Sequence, residues 1–246
     1  MDKIAKLKEM IDSSSRIVFF GGAGVSTESG IPDFRSKDGL YNQHDVAFEN
    51  YRPEYLLSHT CLVREPKVYF EFHRQKLDTR NIEPNMAHKY LASLEESGKL
   101  LGIVTQNIDG LHQKAGSKKV FEIHGSALRN YCMKCGKRYD ENYIFDSKDP
   151  IPKCTCGGTV RPDITLYEES LPEDAVEGAL NAISTADMMI IGGTSLTVYP
   201  AASFIRYFNG DKLCIINRDE LSVSFNGDLL TVNDSIGKVF SDLSAV

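Results

Sequence analysis

No apolar stretch in these 246 residues approaches the roughly 20 that a membrane-spanning helix requires. The opening run Met1-Asp2-Lys3-Ile4-Ala5-Lys6-Leu7-Lys8 carries charges where a secretory leader has its apolar core. Membrane partners and export are not expected, and the chain reads as cytoplasmic. Positive charge is not in excess either: 28 Lys and Arg face 34 Asp and Glu, a net charge of −6. That balance counts against direct nucleic-acid binding and suits basic, lysine-bearing protein segments as partners. No internal repeat or low-complexity tract is present, and the length fits one large α/β domain, residues 1–246.

Two nucleotide signatures are incomplete. Arg16-Ile17-Val18-Phe19-Phe20 reads as a buried parallel strand, and Gly21-Gly22-Ala23-Gly24 follows it. Gly22-Ala23-Gly24 supplies the first two glycines of G-x-G-x-x-G, but Thr27 occupies the third place. No Lys-Ser/Thr follows, which excludes a P-loop. A strand running into glycines still presents backbone N–H groups to a phosphate, because no Cβ blocks the approach.

Further along, short apolar runs alternate with helical patterns, the mark of a doubly wound, Rossmann-like parallel sheet in the α/β class. The strand at 100–105 delivers Gln106-Asn107-Ile108-Asp109, and the one at 119–123 delivers His124. The strand at 187–191 ends in Gly192-Gly193-Thr194-Ser195, the one at 213–216 in Asn217, and a last strand covers 229–232. Helices are expected over 2–13, 84–96, 173–186 and 235–243. In open parallel sheets ligands sit beyond the carboxyl ends of strands, where these polar residues cluster. His88, inside a helix, is expected to pack or cap. Residues 39–81 alternate aromatics and charges with Pro53 and Pro66 as breakers, predicting a helical insertion with an aromatic core. The core then comprises about 1–38, 82–125 and 164–246.

Six cysteines divide into a cluster (Cys132, Cys135, Cys154, Cys156) and two isolated residues, Cys61 and Cys214. In a reducing compartment four clustered thiols read as metal ligands rather than disulfides. Four thiolates favour a tetrahedral Zn²⁺ with no open position for water, hence a structural ion in a small module over about 126–163. Cys214, within Leu213-Cys214-Ile215-Ile216, is expected to be a small buried hydrophobe.

Four ordered blocks carry a resemblance. They are Gly22-Ala23-Gly24-Val25-Ser26-Thr27-Glu28-Ser29-Gly30-Ile31-Pro32-Asp33-Phe34-Arg35-Ser36, then Thr105 to His112 with Ala115-Gly116, then His124-Gly125, and Gly193 to Leu196 leading to Pro200-Ala201-Ala202. Together they resemble the sirtuins, NAD-dependent protein deacylases, over nearly the whole chain. The family usually carries C-x-x-C twice, whereas Cys154-Thr155-Cys156 is a C-x-C. The resemblance implies a bacterial-type single-domain enzyme that removes acetyl from lysine. It uses NAD as co-substrate and releases nicotinamide, O-acetyl-ADP-ribose and free lysine.

The same resemblance implies roles for residues. His124 becomes a general base on the ribose hydroxyls, suited by an imidazole pKa of roughly 6.5. Asn107 positions the ribose and a water, and Gln106 holds the ribose. Ile108 and Asp109 line the nicotinamide pocket, with Asp109 meeting the carboxamide. Ala23, Thr27 and Arg35 contact the diphosphate side, alongside Gly22, Gly24 and Asp33, and Phe34 covers the reaction centre. Gly193, Thr194, Ser195 and Asn217 hold the phosphate and adenosine end. Arg161 to Leu166 resembles the segment lining the family's peptide cleft. Members that prefer acidic acyl groups carry Tyr-x-x-Arg. Here Tyr41 is followed by His44, which favours acetyl or longer neutral chains. Mono-ADP-ribosyl transfer to protein is the closest rival reaction, with a zinc adaptor and a hydride-transfer dehydrogenase behind it.

Overall fold

A computed structural model describes residues 2–34, 36, 39–40, 47–221 and 223–245. Helix α1 (Lys3–Asp12) precedes strand β1 (Ile17–Gly21), which leads into the glycine loop. Three short helices follow, α2 (Pro53–Leu56), α3 (His59–Arg64) and α4 (Pro66–Lys76), two of them opened by the prolines that pre-set helical φ. Next come α5 (Met86–Glu96), β2 (Leu100–Thr105), α6 (Leu111–Lys114) and β3 (Val120–Glu122). A second unit holds β4 (Gly125–Cys132), β5 (Arg138–Asp140), α7 (Asn142–Phe145) and β6 (Val160–Ile164). The chain then returns through α8 (Glu173–Thr185), β7 (Met188–Gly192), β8 (Lys212–Ile216), β9 (Asp228–Val232) and α9 (Ile236–Ser244).

The main sheet is parallel throughout, in the order β3-β2-β1-β7-β8-β9. From β1 the chain adds β2 and β3 on one side and then β7, β8 and β9 on the other, so the strand order reverses between β1 and β7. That reversal parts the loops after the two strands and opens a crevice at their carboxyl ends. β1 is buried on both faces. Ile17 and Phe19 meet a layer of α1, α5 and α9 with Leu7, Leu91 and Phe240, whereas Val18 and Phe20 meet α8 and the helical turn Ala201–Tyr207 through Ile183 and Phe204. Period-2 alternation thus serves two cores at once, which is why the strand reads as one unbroken apolar run. Cys214 lies inside the first of these cores, fully buried.

The aromatics of the helical segment also pack inward: Tyr69 and Phe70 are fully buried against the cysteine unit, and Phe72 packs with Phe48 and Leu57. The cysteine unit is a three-stranded antiparallel sheet, β5-β4-β6, which the sequence did not announce. β4 changes exposure along its length without clean alternation, so no strand signal stands out. Among the described residues no helix is long and apolar enough to cross a membrane.

Candidate active site

The glycine loop and the loop after β7 meet in the crevice. Gly22 N–H donates to the Gly192 carbonyl at 3.3 Å and Gly24 N–H to the Gly193 carbonyl at 2.8 Å. A Cβ on Gly24 would lie 2.7 Å from Gly193 Cα, so the two backbones touch where a side chain cannot fit. Gly193 itself turns through φ 58°. A cavity of about 750 Å³ opens on this junction, within the usual size of small-ligand pockets.

Most residues singled out from the sequence line that cavity. Gly22, Ala23, Gly24 and Thr27 come from the first loop, with Asp33 and Phe34 beyond it. Gln106, Asn107 and Ile108 follow β2, and His124 follows β3. Gly193, Thr194, Ser195 and Asn217 stand at the ends of β7 and β8. Gln106 Nε2 donates to Thr194 Oγ1 at 3.2 Å, joining the two sides of the crevice. Asp33 Oδ1 accepts from Ser36 N–H at 2.7 Å. Arg35, Tyr41 and His44 lie outside the described residues.

His124 is half-buried, with Nδ1 2.9 Å from the Gln106 carbonyl oxygen. A carbonyl only accepts, so Nδ1 carries the proton and Nε2 keeps a lone pair. Burial pushes the His124 pKa below the ordinary imidazole value, and the Gln106 contact partly offsets it. The neutral, Nε2-basic form is therefore the resting one at neutral pH.

Asp109 is not among the lining residues. It is 6% exposed, accepting from Ser26 Oγ at 2.7 Å through Oδ2 and from Leu111 N–H at 2.9 Å through Oδ1. Burial pushes its carboxyl pKa up, against the pull of those donors. Ser26 is a buried hub, and it also accepts from Asn107 Nδ2 at 3.1 Å. His88 caps as expected: its Nδ1 accepts from Asn85 N–H at 3.2 Å in a capping box. Its Nε2 then holds the proton and faces Ser26 Oγ at 3.5 Å. These partners are 81, 83 and 62 residues from Ser26 in sequence, so spacing carried no signal of the hub.

The four cysteine sulfurs lie within 4.8 Å of one another, with Cys132 and Cys156 at 3.5 Å and Cys135 and Cys154 at 3.6 Å. A tetrahedral Zn²⁺ with Zn–S of about 2.3 Å needs sulfurs about 3.8 Å apart, so the C-x-C half fits the ion. Tyr139 Oη donates to Cys154 Sγ at 3.0 Å, and Lys134 N–H to Cys132 Sγ at 3.4 Å. Such donors favour thiolates; the Cys154 pKa falls to about 5, through the Cys156 backbone N–H first and Tyr139 next.

The Sir2 family model matches residues 22–200. A protein of Clostridium perfringens (strain 13 / Type A) named an NAD-dependent protein deacetylase is 58% identical over 241 residues, 97% of each chain. A Clostridium tetani (strain Massachusetts / E88) protein of the same name is 50% identical over 99% of this chain and 98% of its own. Among solved structures, a Sir2 protein with a His-to-Ala substitution, bound to deacetylated p53 peptide and 3′-O-acetyl-ADP-ribose, superposes with TM-score 0.88. It is 33% identical and covers 99% and 98% of the two chains. A Sir2 complex with p53 peptide and NAD⁺ superposes with TM-score 0.85 at 34% identity, over 100% and 98%. On this likeness in sequence, fold and coverage, the chain belongs to the Sir2 family.

Proposed function

We propose that the chain is an NAD-dependent protein-lysine deacetylase. The observation that carries this reading is His124, held in its Nε2-basic form by the Gln106 carbonyl, in the wall of the cavity that both glycine loops enter. Bound NAD supplies an electrophilic ribose carbon with nicotinamide as leaving group, so the acetyl group ends on ADP-ribose. The chain's residues bind, orient and move protons around that chemistry. The glycine loops, with Ala23, Thr27 and Thr194, accept the diphosphate; Ser195 and Asn217 hold the adenosine end. Gln106 and Asn107 orient the ribose, and Phe34 and Ile108 keep water from the reacting carbon. His124 Nε2 takes a proton from a ribose hydroxyl, a role worth about 10²–10⁴-fold in rate. Asp109 steadies Asn107 through Ser26, and its contact with the carboxamide requires a turn away from Ser26.

Cys132, Cys135, Cys154 and Cys156 hold one structural Zn²⁺ that ties β4 to the loop before β6. The partners are acetylated-lysine protein segments, no step requires a nucleic acid or a membrane, and four reduced thiols suit a cytoplasmic setting. Mass spectrometry of an acetyl-lysine peptide, with and without NAD, tests the proposal. NAD-dependent loss of acetyl supports it, and ADP-ribose added to protein with acetyl retained replaces it with a transferase.

A further inference from the structure

Among the described residues, two non-glycine residues have left-handed backbone, Glu168 at φ 76° and Leu196 at φ 54°, and Glu168 lines the cavity. A branched or long side chain resists that conformation, so something must hold it. At Glu168 the holder is visible. Its Oε2 accepts from both Thr60 N–H at 2.9 Å and Thr60 Oγ1 at 2.7 Å, at the start of α3. Those bonds draw the Glu168 carboxyl pKa down, the Thr60 hydroxyl first.

Glu168 ends a strap whose residues are anchored one by one. Thr165 N–H donates to the His124 carbonyl at 2.9 Å. Leu166 N–H donates to Glu169 Oε2 at 2.9 Å, and Glu169 also binds the buried Arg161 guanidinium. Tyr167 pairs with the α2–α3 connection, N–H to the Leu57 carbonyl at 3.0 Å and carbonyl to His59 N–H at 3.1 Å. The strap therefore runs from the proposed base to the helical segment as a wall of the cavity. With the dinucleotide on the glycine loops, an acetylated lysine has to reach His124 past this wall.

We propose that Glu168 is a positioning residue for the acetylated peptide. Its carboxylate, latched on Thr60, holds the left-handed turn that sets the course of residues 165–167 beside His124. The proposal rests on the deacetylase reading for the identity of the ligand. It differs from attraction of a basic peptide by charge, because the carboxylate acts through the backbone of its own strap.

Three substitutions separate these ideas. E168Q keeps an acceptor oxygen for Thr60, E168G loses the latch but accepts the φ, and E168A loses the latch and keeps the backbone penalty. Anisotropy of a labelled acetyl-lysine peptide should show binding within about twofold of native for E168Q, about threefold weaker for E168G and about tenfold weaker for E168A. ADP-ribose affinity, measured by calorimetry on the same proteins, should stay within about twofold throughout. Equal weakening in all three variants would point to plain charge attraction and overturn the latch. Native-like peptide binding by E168A, or a parallel loss of ADP-ribose binding, would overturn it too. A native chain that binds no acetylated peptide overturns the deacetylase reading, and this proposal with it.

Discussion

Replacing Gly24 by Ala should cripple NAD use while leaving a folded protein. The new Cβ would sit 2.7 Å from Gly193 Cα and 2.9 Å from Gly193 O, both backbone atoms that no rotamer change can clear. Ordinary carbon contact is about 3.5 Å, so the loops must part by about 0.8 Å. Overpacking of this kind costs about 1–3 kcal/mol. Stretching the Gly24–Gly193 hydrogen bond adds about 0.5–1.5 kcal/mol. The total, about 1.5–4.5 kcal/mol, leaves a typical domain folded. The same shift moves the amides facing the diphosphate, and displacements near 1 Å cost up to about 10²-fold in productive binding. Steady-state kinetics should show the KM for NAD raised at least about tenfold, with the acetyl-peptide KM little changed. Gly193→Ala pushes on the same gap from the other side, 2.3 Å from Val25 N, so the double variant should cost less than the sum. A Gly24→Ala enzyme with native KM for NAD would refute the close-approach argument.

Further outcomes concern His124, His73 and the cysteine cluster. His124→Ala should lower kcat by about 10²–10⁴-fold while ADP-ribose still binds. In the native enzyme, because His124 is held below the ordinary imidazole pKa, the acid limb of kcat/KM should fall below pH of about 6.5; a limb above it contradicts the assignment. His73 is fully buried between Tyr69 and Phe145, and burial drives its pKa down to about 3. An imidazole that charges at about 6.5 when unfolded but only near 3 when folded costs no stability above pH 6.5 and destabilises progressively as pH falls from there. By pH 5 the loss is about 2 kcal/mol, so denaturant midpoints of His73→Phe should depend less on pH than those of the native chain. Cys154→Ser should release zinc and lower the melting temperature, whereas Tyr139→Phe, removing only the 3.0 Å donor to Cys154, should weaken zinc retention against a chelator about 10- to 100-fold. Unchanged retention would show that the hydroxyl does not tune the site.

The parts of this fold that follow from sequence are those governed by local chemistry. β1, β7 and β8 are apolar runs of strand formers, and glycine or asparagine marks where each stops. Because the chain alternates strand and helix, those stops fall on one side of the sheet, and the residues there gather without any long-range knowledge. Cysteine spacing is equally local, and it locates the sulfur cluster even though C-x-C departs from the family's spacing. What stayed illegible depends on distant partners. Ser26 is one polar residue of a glycine-rich loop until the fold brings Asp109, Asn107 and His88 to it. The turn of the Asp109 carboxylate onto Ser26, 83 residues earlier, is equally invisible in the sequence. β4 and β6 pair with each other across the cysteine loop, so neither announces itself alone. The left-handed turn at Glu168 has no glycine to signal it, and the Thr60 that its carboxylate meets lies 108 residues earlier.

The most direct test is the product balance of a single reaction. An acetyl-lysine peptide and NAD are incubated with the protein, and deacetylated peptide, nicotinamide and O-acetyl-ADP-ribose are quantified together by mass spectrometry. The account predicts equimolar formation of all three, abolished when NAD is omitted and nearly so in His124→Ala. Free acetate formed without nicotinamide, or nicotinamide released with ADP-ribose fixed to protein and acetyl retained, would contradict it.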